Sequence, residues 1–526
     1  MQPAVGFRFL LRPGFLAVVP AVLALFSAPS GAQDFNGDGY ADLAVGVPSE
    51  DYSTTAIDSG AVHILYGSAS GLTAAGSQFV TQATLGAPDN PESDDRFGEA
   101  LAWGDFNDDG YDDLAVGVPG ESVGTAGGAG AVHIFFGSSG GLTTAATQFI
   151  TQDSFDVPDT SESGDAFGSS LAAGYFDGDA YQDLAVGTPG ESLAASSAGA
   201  VTILKGSSSG LSGTGSQFWH QDSPGILDVG EASDGFGLAL AVGDFDGNGK
   251  SDLAIGVPFE DLGRRTLTLT NAGLVHVLLS DGSGLTATGN QVWTQDSAGI
   301  VDVAEVYDRF GYFLAAGDFN ANGFDDLAIG IFSEDLGALR EAGAVAVLYG
   351  TTGGLGAASN VLWNQDSPGI AGSASEYDSF GVSVVAVDFD NDGFSDLGIG
   401  ALGENLNGSH AAGVVHALYG GPTGLTASGS QLWSQDSSSI EGSVEDDDRF
   451  GRSLGAGDFN GDGAMDLVVG VFGEAIGTVQ VSGGINVIYG SASGLSAAGN
   501  QFWSQNSPGI ADVAEFKDEF GKSLAR

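Results

Sequence analysis

DFNGDGYAD, residues 34–42, returns along this chain as variants of the same nine-residue pattern. The later copies start at 105, 175, 244, 318, 388 and 458, at spacings of 71, 70, 69, 74, 70 and 70. A fixed period of this length is the signature of a repeat architecture. A residue that recurs in every copy belongs first to the scaffold, so a unique activity has to be sought where the copies differ.

Working outward from the second copy, one unit can be read over residues 97–152. FGEALAWGD (97–105) alternates in the manner of a strand, the acidic loop DFNDDGYDD (105–113) follows, and DLAVGVPGE (113–121) is a short apolar run stopped by Gly and Pro. GAVHIFFGS (130–138) reads as a third strand and TQFITQ (147–152) as a fourth. Each run is rich in Val, Ile, Phe and Leu and bounded by turn residues, and no stretch sustains a 3.6-residue period. Four short strands in each of seven units predict an all-β fold, a seven-bladed β-propeller of four-stranded antiparallel blades. A solenoid would need atypical capping repeats at its ends. Here FGKSLAR (520–526) matches the first strand of a unit, and the first acidic loop lacks that strand. The expectation is a ring closed by the C-terminal strand pairing into the N-terminal blade. Removing residues 1–32 makes the spacing from Asp458 across the junction to Asp34 again 70.

Arg8 and Arg12, the apolar stretch 14–26 (GFLAVVPAVLALF) and the small residues Ser30-Gly31-Ala32 read as a secretory leader cleaved before Gln33. The expected organisation is a leader over 1–32 and a single propeller domain over 33–526. No later run approaches the ~20 apolar residues of a membrane span. Cysteine is absent, so disulfides and thiol chemistry are excluded. With 14 basic against 68 acidic residues, the net charge of −54 makes nucleic acid and anionic membranes poor partners. Much of that acidity lies in the loops, where bound cations would offset it.

The units resemble the FG-GAP repeat of integrin α-subunit propellers. The FG dipeptide stands at 97, 167, 236, 310, 380, 450 and 520. The GAP-like tripeptide is GVP at 46, 117 and 256 and GTP at 187, and it drifts to GIF, GAL and GVF at 330, 400 and 470. The resemblance implies calcium in the loop between the first and second strands of a blade, and adhesion-type binding outside the cell. The loop chemistry agrees. Oxygen donors at positions 1, 3, 5, 7 and 9 suit a hard cation that takes six to eight oxygens, and Gly at position 6 allows the turn.

The expected ligands of the first loop are Asp34, Asn36, Asp38, the Tyr40 carbonyl and Asp42. Those of the next are Asp105, Asn107, Asp109, Tyr111 and Asp113, followed by Asp244, Asp246, Asn248, Lys250 and Asp252. The later sets are Asp318, Asn320, Asn322, Phe324 and Asp326, then Asp388, Asp390, Asp392, Phe394 and Asp396, then Asp458, Asn460, Asp462, Ala464 and Asp466. Counting carboxylates makes the 388 loop the strongest and the 318 loop the weakest of these six. The 175 loop has Tyr175 at position 1 and Ala180 at position 6, and is expected to be weak or empty even though Asp177, Asp179 and Asp183 remain.

Other recurrent residues are read as scaffold. His63, His133, His276 and His416 share one place in the third strand. Blades stand about 10 Å apart and zinc ligands ~2 Å from one ion, so these histidines read as packed rather than metal-binding. Trp219, Trp293, Trp363, Trp433 and Trp503 recur on the fourth strand. They read as edge packing, with a sugar-binding shelf as the alternative. An Asp two residues before each FG and a Glu after each GAP-like segment read as turn and loop hydrogen-bonders. The irregularities are the 261–271 insertion, with Arg264 and Arg265, and GALRE at 337–341. The functional expectation is a secreted, calcium-binding, monomeric ring that binds an extracellular protein or glycan and is not an enzyme. The alternatives are a lectin and a polysaccharide-active enzyme.

Overall fold

The computed structural model describes residues 33–85, 90–144, 147–264 and 267–525, with Leu25–Phe26 by backbone alone. The predicted leader otherwise lies outside the described residues, as does Arg265.

Seven four-stranded antiparallel sheets follow one another along the chain, as the repeat predicts. Blade 2 has the order Ala100–Gly104, Asp113–Val118, Ala131–Phe135, Gln148–Ile150 from the innermost strand outward. Blades 3 to 7 repeat it, and blade 4 carries Leu25–Phe26 as a fifth strand parallel to its inner strand. Blade 1 takes its inner strand from the other end of the chain: Ser523–Leu524 pairs with Leu43–Val47, with Leu524 opposite Val45. The ring is thus closed by the C-terminal strand. No helix among the described residues is long and apolar enough to cross a membrane.

Burial follows from packing between blades. Second and third strands such as Leu43–Val47 and Ala61–Tyr66 are buried along their whole length. Both faces of each sheet meet a neighbour, so these strands read as continuous apolar runs rather than alternating ones. Inner strands use small residues, as in Ala100-Leu101-Ala102 and Leu171-Ala172-Ala173, where seven sheets converge. Outer strands such as Ser212–Trp219 are half exposed and polar.

The FG and GAP-like segments prove to be two halves of one contact. In six blades FG is not the start of the strand, as the sequence suggested, but a turn ahead of it, while in blade 6 the strand Phe380–Val387 does begin at FG. In blade 2 the Glu99 N–H donates to the Arg96 carbonyl at 3.0 Å, and Gly98 has φ +90°. A glycine there fits the second central position of a type II turn. Phe97, at the first, is fully buried. The turn carbonyl then abuts the GAP-like glycine of the preceding blade: a Cβ on Gly46, Gly117, Gly187, Gly256, Gly330, Gly400 or Gly470 would overlap the carbonyl of the next FG glycine. Gly256 has an ordinary φ, so Gly256→Ala tests this contact without added backbone strain. Overpacking against Gly311 is expected to cost about 1–3 kcal/mol. An unfolding free energy equal to wild type would remove that contact from the account.

Candidate metal centres

Six of the acidic loops join the inner strand to the second strand, and the 34–42 loop leads into the second strand of blade 1, so all seven lie at the end of the ring opposite the FG turns. The carboxylate at position 1 ties the loop. Asp388 accepts the Asp392 N–H at 3.1 Å and the Gly393 N–H at 2.8 Å. Asp34, Asp105, Asp244, Asp318 and Asp458 accept the equivalent pair. The position 6 glycine has positive φ in all six of these loops, for example Gly393 at +91°. The position 5 side chain caps the position 7 N–H: Asp38 to Tyr40, Asp109 to Tyr111, Asn322 to Phe324, Asp392 to Phe394 and Asp462 to Ala464. At position 9, Asp42, Asp113, Asp252, Asp326, Asp396 and Asp466 are buried, and each accepts two backbone N–H groups. Burial, with the other loop carboxylates adding, pushes each of them up to about 8.

Positions 1, 3 and 9 converge. Oxygens of Asp244, Asp246 and Asp252 lie within 4.8 Å of one another, as do those of Asp388, Asp390 and Asp396. Two ligands held 2.3–2.6 Å from one calcium lie no more than about 5 Å apart. The position 3 oxygens of Asn36, Asn107 and Asp390 are buried with no hydrogen-bond partner among the described residues. A buried acceptor without a donor calls for an ion or water, so these donor sets fit a hard cation. At 318 the Asn320 amide instead donates to Asp326 at 3.0 Å, in line with the fewer carboxylates there. The loops are also linked in a circuit. The position 8 N–H of each donates to the position 1 carbonyl of the preceding blade, from Ala41 to Asp458 at the seam round to Met465 to Asp388.

The 175 loop is built differently. Ala180 is not in the positive-φ region, and Asp179 takes its N–H cap from Asp177. Lys205, on the third strand where blades 1, 5, 6 and 7 have Tyr66, Tyr349, Tyr419 and Tyr489, reaches Asp177 at 3.2 Å and Asp183 at 3.1 Å. Its ammonium holds positions 3 and 9 together. Asp183 accordingly rises only to about 6, the lysine charge opposing burial.

The sequence reading missed a second repeated cluster. The Asp before FG and the Glu after the GAP-like segment meet between blades, with a Gln of the preceding outer strand bound to the Glu. Gln295 donates to Glu334 at 2.8 Å and to Asp302 at 3.0 Å, and Gln505 to Glu50 at 2.7 Å across the seam. Each Asp also accepts an N–H three residues upstream, as Asp308 does from Glu305 at 2.5 Å, which is the turn role expected of it. The Gln of the W-x-Q pattern was the available signal. Burial and neighbouring carboxylates push Glu50, Glu260 and Glu334 up to about 9, from an ordinary 4.5. The folded chain therefore holds protons there that the unfolded chain has released, from about pH 4.5 to 9. Stability is greatest at the acid end and is lost as pH rises through that window. The melting temperature in chelator is expected to fall from about pH 5 to 8.5, and a flat or rising profile would remove the protonated acids from the account.

The histidines are buried and packed edge-on or tilted against aromatic rings, His276 on Phe236 at 5.4 Å and His416 on Phe380 at 5.2 Å. Burial lowers His276 to about 3 and His416 to about 4, so both are neutral. The five tryptophans are half-buried with their indole nitrogens covered, their rings packed on the blade cores rather than displayed as a shelf. The 261–271 insertion forms a small hairpin, Leu262–Arg264 with Leu267–Leu269.

The FG-GAP repeat profile matches residues 26–65, 97–135, 167–204, 236–278, 310–348, 380–418 and 450–482. Integrin alpha-5 of Xenopus laevis is 31% identical over 277 residues, 51% of this chain and 22% of that protein. Human integrin alpha-IIb is 32% identical over 243 residues, 45% of this chain and 20% of that protein. Bovine phosphatidylinositol-glycan-specific phospholipase D is 35% identical over 158 residues, 30% and 18% respectively. The chain thus matches about a fifth of the length of these relatives. Among solved structures, a rhamnogalacturonan lyase of Bacillus licheniformis aligns over 84% of this chain and 68% of its own, at a TM-score of 0.39 and 14% identity. A likeness at that level carries no inference about activity.

Proposed function

The chain belongs to the FG-GAP repeat family, as an integrin-α-like propeller, and on that premise we propose that it acts outside the cell as a calcium-stabilised binding module for a protein or glycan. In this reading residues 1–32 are the leader and 33–526 the working ring, a monomer. The six loops with Asp at position 1 hold calcium through their side chains at positions 1, 3, 5 and 9 and the carbonyl at position 7. The ion supplies charge compensation and rigidity. Because neighbouring loops are hydrogen-bonded in a circuit, holding each loop stiffens the whole end of the ring.

The observation that carries the reading is Lys205. In the one loop without the first Asp, a lysine ammonium occupies the place between positions 3 and 9. Clustered buried carboxylates need a positive charge. The other six loops have no equivalent lysine in the third strand and are left to a metal ion. Binding rather than catalysis is favoured because the acidic clusters repeat from blade to blade.

Asp388→Ala is expected to lose one equivalent of bound calcium and leave the others, read by equilibrium dialysis. Unchanged stoichiometry would refute the assignment of that loop. Capture of a ligand from the native surroundings, with calcium and with chelator, tests the binding role. Capture that is absent in both would sink it.

A further inference from the structure

At the end of the channel opposite the calcium loops, the residues flanking each FG dipeptide do not repeat. The chain has 14 lysines and arginines, 12 once Arg8 and Arg12 are set aside. Five of those 12, Arg96, Arg309, Arg449, Arg452 and Lys522, sit immediately before or after an FG dipeptide. In a chain of net charge −54, this gathers much of its positive charge at one end of the channel.

The position after each FG dipeptide, held by Glu99, Tyr312 and Arg452 in blades 2, 5 and 7, lies at the start of the innermost strand, and the innermost strands converge on the channel. Arg452 of blade 7 interacts electrostatically with Tyr312 of blade 5, Glu99 of blade 2, Arg449 and Glu519. Tyr312 in turn feels Arg452, Arg309 and Glu99. Blades 2, 5 and 7 are not neighbours, so only a shared central point brings these groups together. Each has one polar atom left over: Arg452 Nη1, Arg309 Nε, Tyr312 Oη and Glu99 Oε2 are all buried without a partner among the described residues. Glu99 is 3% and Tyr312 2% exposed. Buried polar groups are ordinarily satisfied, and a set of donors and acceptors left open together points to a ligand. Phe332 adds an apolar face, with the Tyr312 ring 5.1 Å away and the Arg309 guanidinium 5.5 Å from its centroid.

We propose that this channel mouth binds a single uronic-acid residue of a glycan, the arginines taking its carboxylate and Glu99 and Tyr312 its hydroxyls. Arginine presents paired donors that match a carboxylate. Glu99 repels a second carboxylate but accepts from hydroxyls, which separates a sugar acid from an acidic peptide. The strongly acidic remainder of the surface disfavours a long polyanion. Lys522 and Arg449 already lie beside Glu519 and Asp447, which leaves Arg452 and Arg309 to take one acid group. The site rests on the binding-module reading and names its ligand class.

The test is calorimetric titration of the calcium-saturated protein with a galacturonate disaccharide, its carboxyl-reduced counterpart and an acidic peptide. The uronate is expected to bind, and the reduced sugar to bind about ten- to a hundredfold more weakly, the scale of a lost charged hydrogen bond. Arg452→Met should weaken uronate binding to a similar extent. Tyr312→Phe, which keeps the ring, should weaken it less, and both variants should retain wild-type melting temperature and calcium content. If Arg452→Met does not fold, Tyr312→Phe and Arg309→Met carry the comparison. No uronate binding, equal binding of the reduced sugar, preference for the peptide, or folded variants that bind like wild type would each overturn the site. Calcium-dependent capture of another ligand elsewhere on the ring would still leave the binding-module reading standing.

Discussion

Chelation is expected to lower the melting temperature of this protein by roughly 15 °C. Calcium bound only by the folded state stabilises it by mass action, about 2.7 kcal/mol per site at a hundredfold excess over Kd. Six independent sites give roughly 16 kcal/mol on that basis. An unfolding entropy of about 2.1 cal/mol/K per residue over roughly 490 residues is about 1 kcal/mol/K, which converts the loss to the stated shift. The metal-free loops add repulsion, since Asp388, Asp390 and Asp396 converge. Calorimetry with calcium and with excess chelator reads the effect directly. Coincident melting curves would mean that the loops are ordinary Asp-Gly turns.

Lys205→Met should have the largest effect of any single side chain considered. It keeps the length of the side chain and removes the ammonium that Asp177 and Asp183 share. Breaking a buried ion pair by removing one partner costs about 3–5 kcal/mol, and Asp183 is fully buried. The cost should be full in chelator and reduced in calcium, because Asp177, Asp179 and Asp183 remain as donors once the lysine is gone. Urea unfolding under both conditions separates the two. Equal destabilisation with and without calcium would mean that the lysine was only packing, and no destabilisation would remove it as a stand-in for the ion.

The repeat, the propeller, the seam and the six complete loops were legible because each rests on local pattern: a loop signature of nine residues, strands of five or six, and a period near 70. The 175 loop was recognised as defective for the same reason, since Tyr175 and Ala180 stand inside it. What filled it was not legible. Lys205 lies 22 residues beyond Asp183 on another strand, and only antiparallel pairing brings it back. The Gln–Glu pairs join residues 39 apart on different blades, as Gln295 and Glu334 are, so the recurrent acids looked like separate turn residues. The channel mouth was harder still. Glu99, Tyr312 and Arg452 have no common motif, and they meet only because a closed ring points the same position of every blade at one axis. FG itself read as strand because Phe suits a strand, whereas the glycine after it marks the turn that locks one blade to the next.

The central claim is that six loops hold calcium and the seventh is served by a lysine. Bound calcium per chain, measured by equilibrium dialysis against a range of free calcium, tests it most directly. The account expects six sites, the 318 loop the weakest, and none at 175. No bound calcium, or seven equal sites, would contradict it.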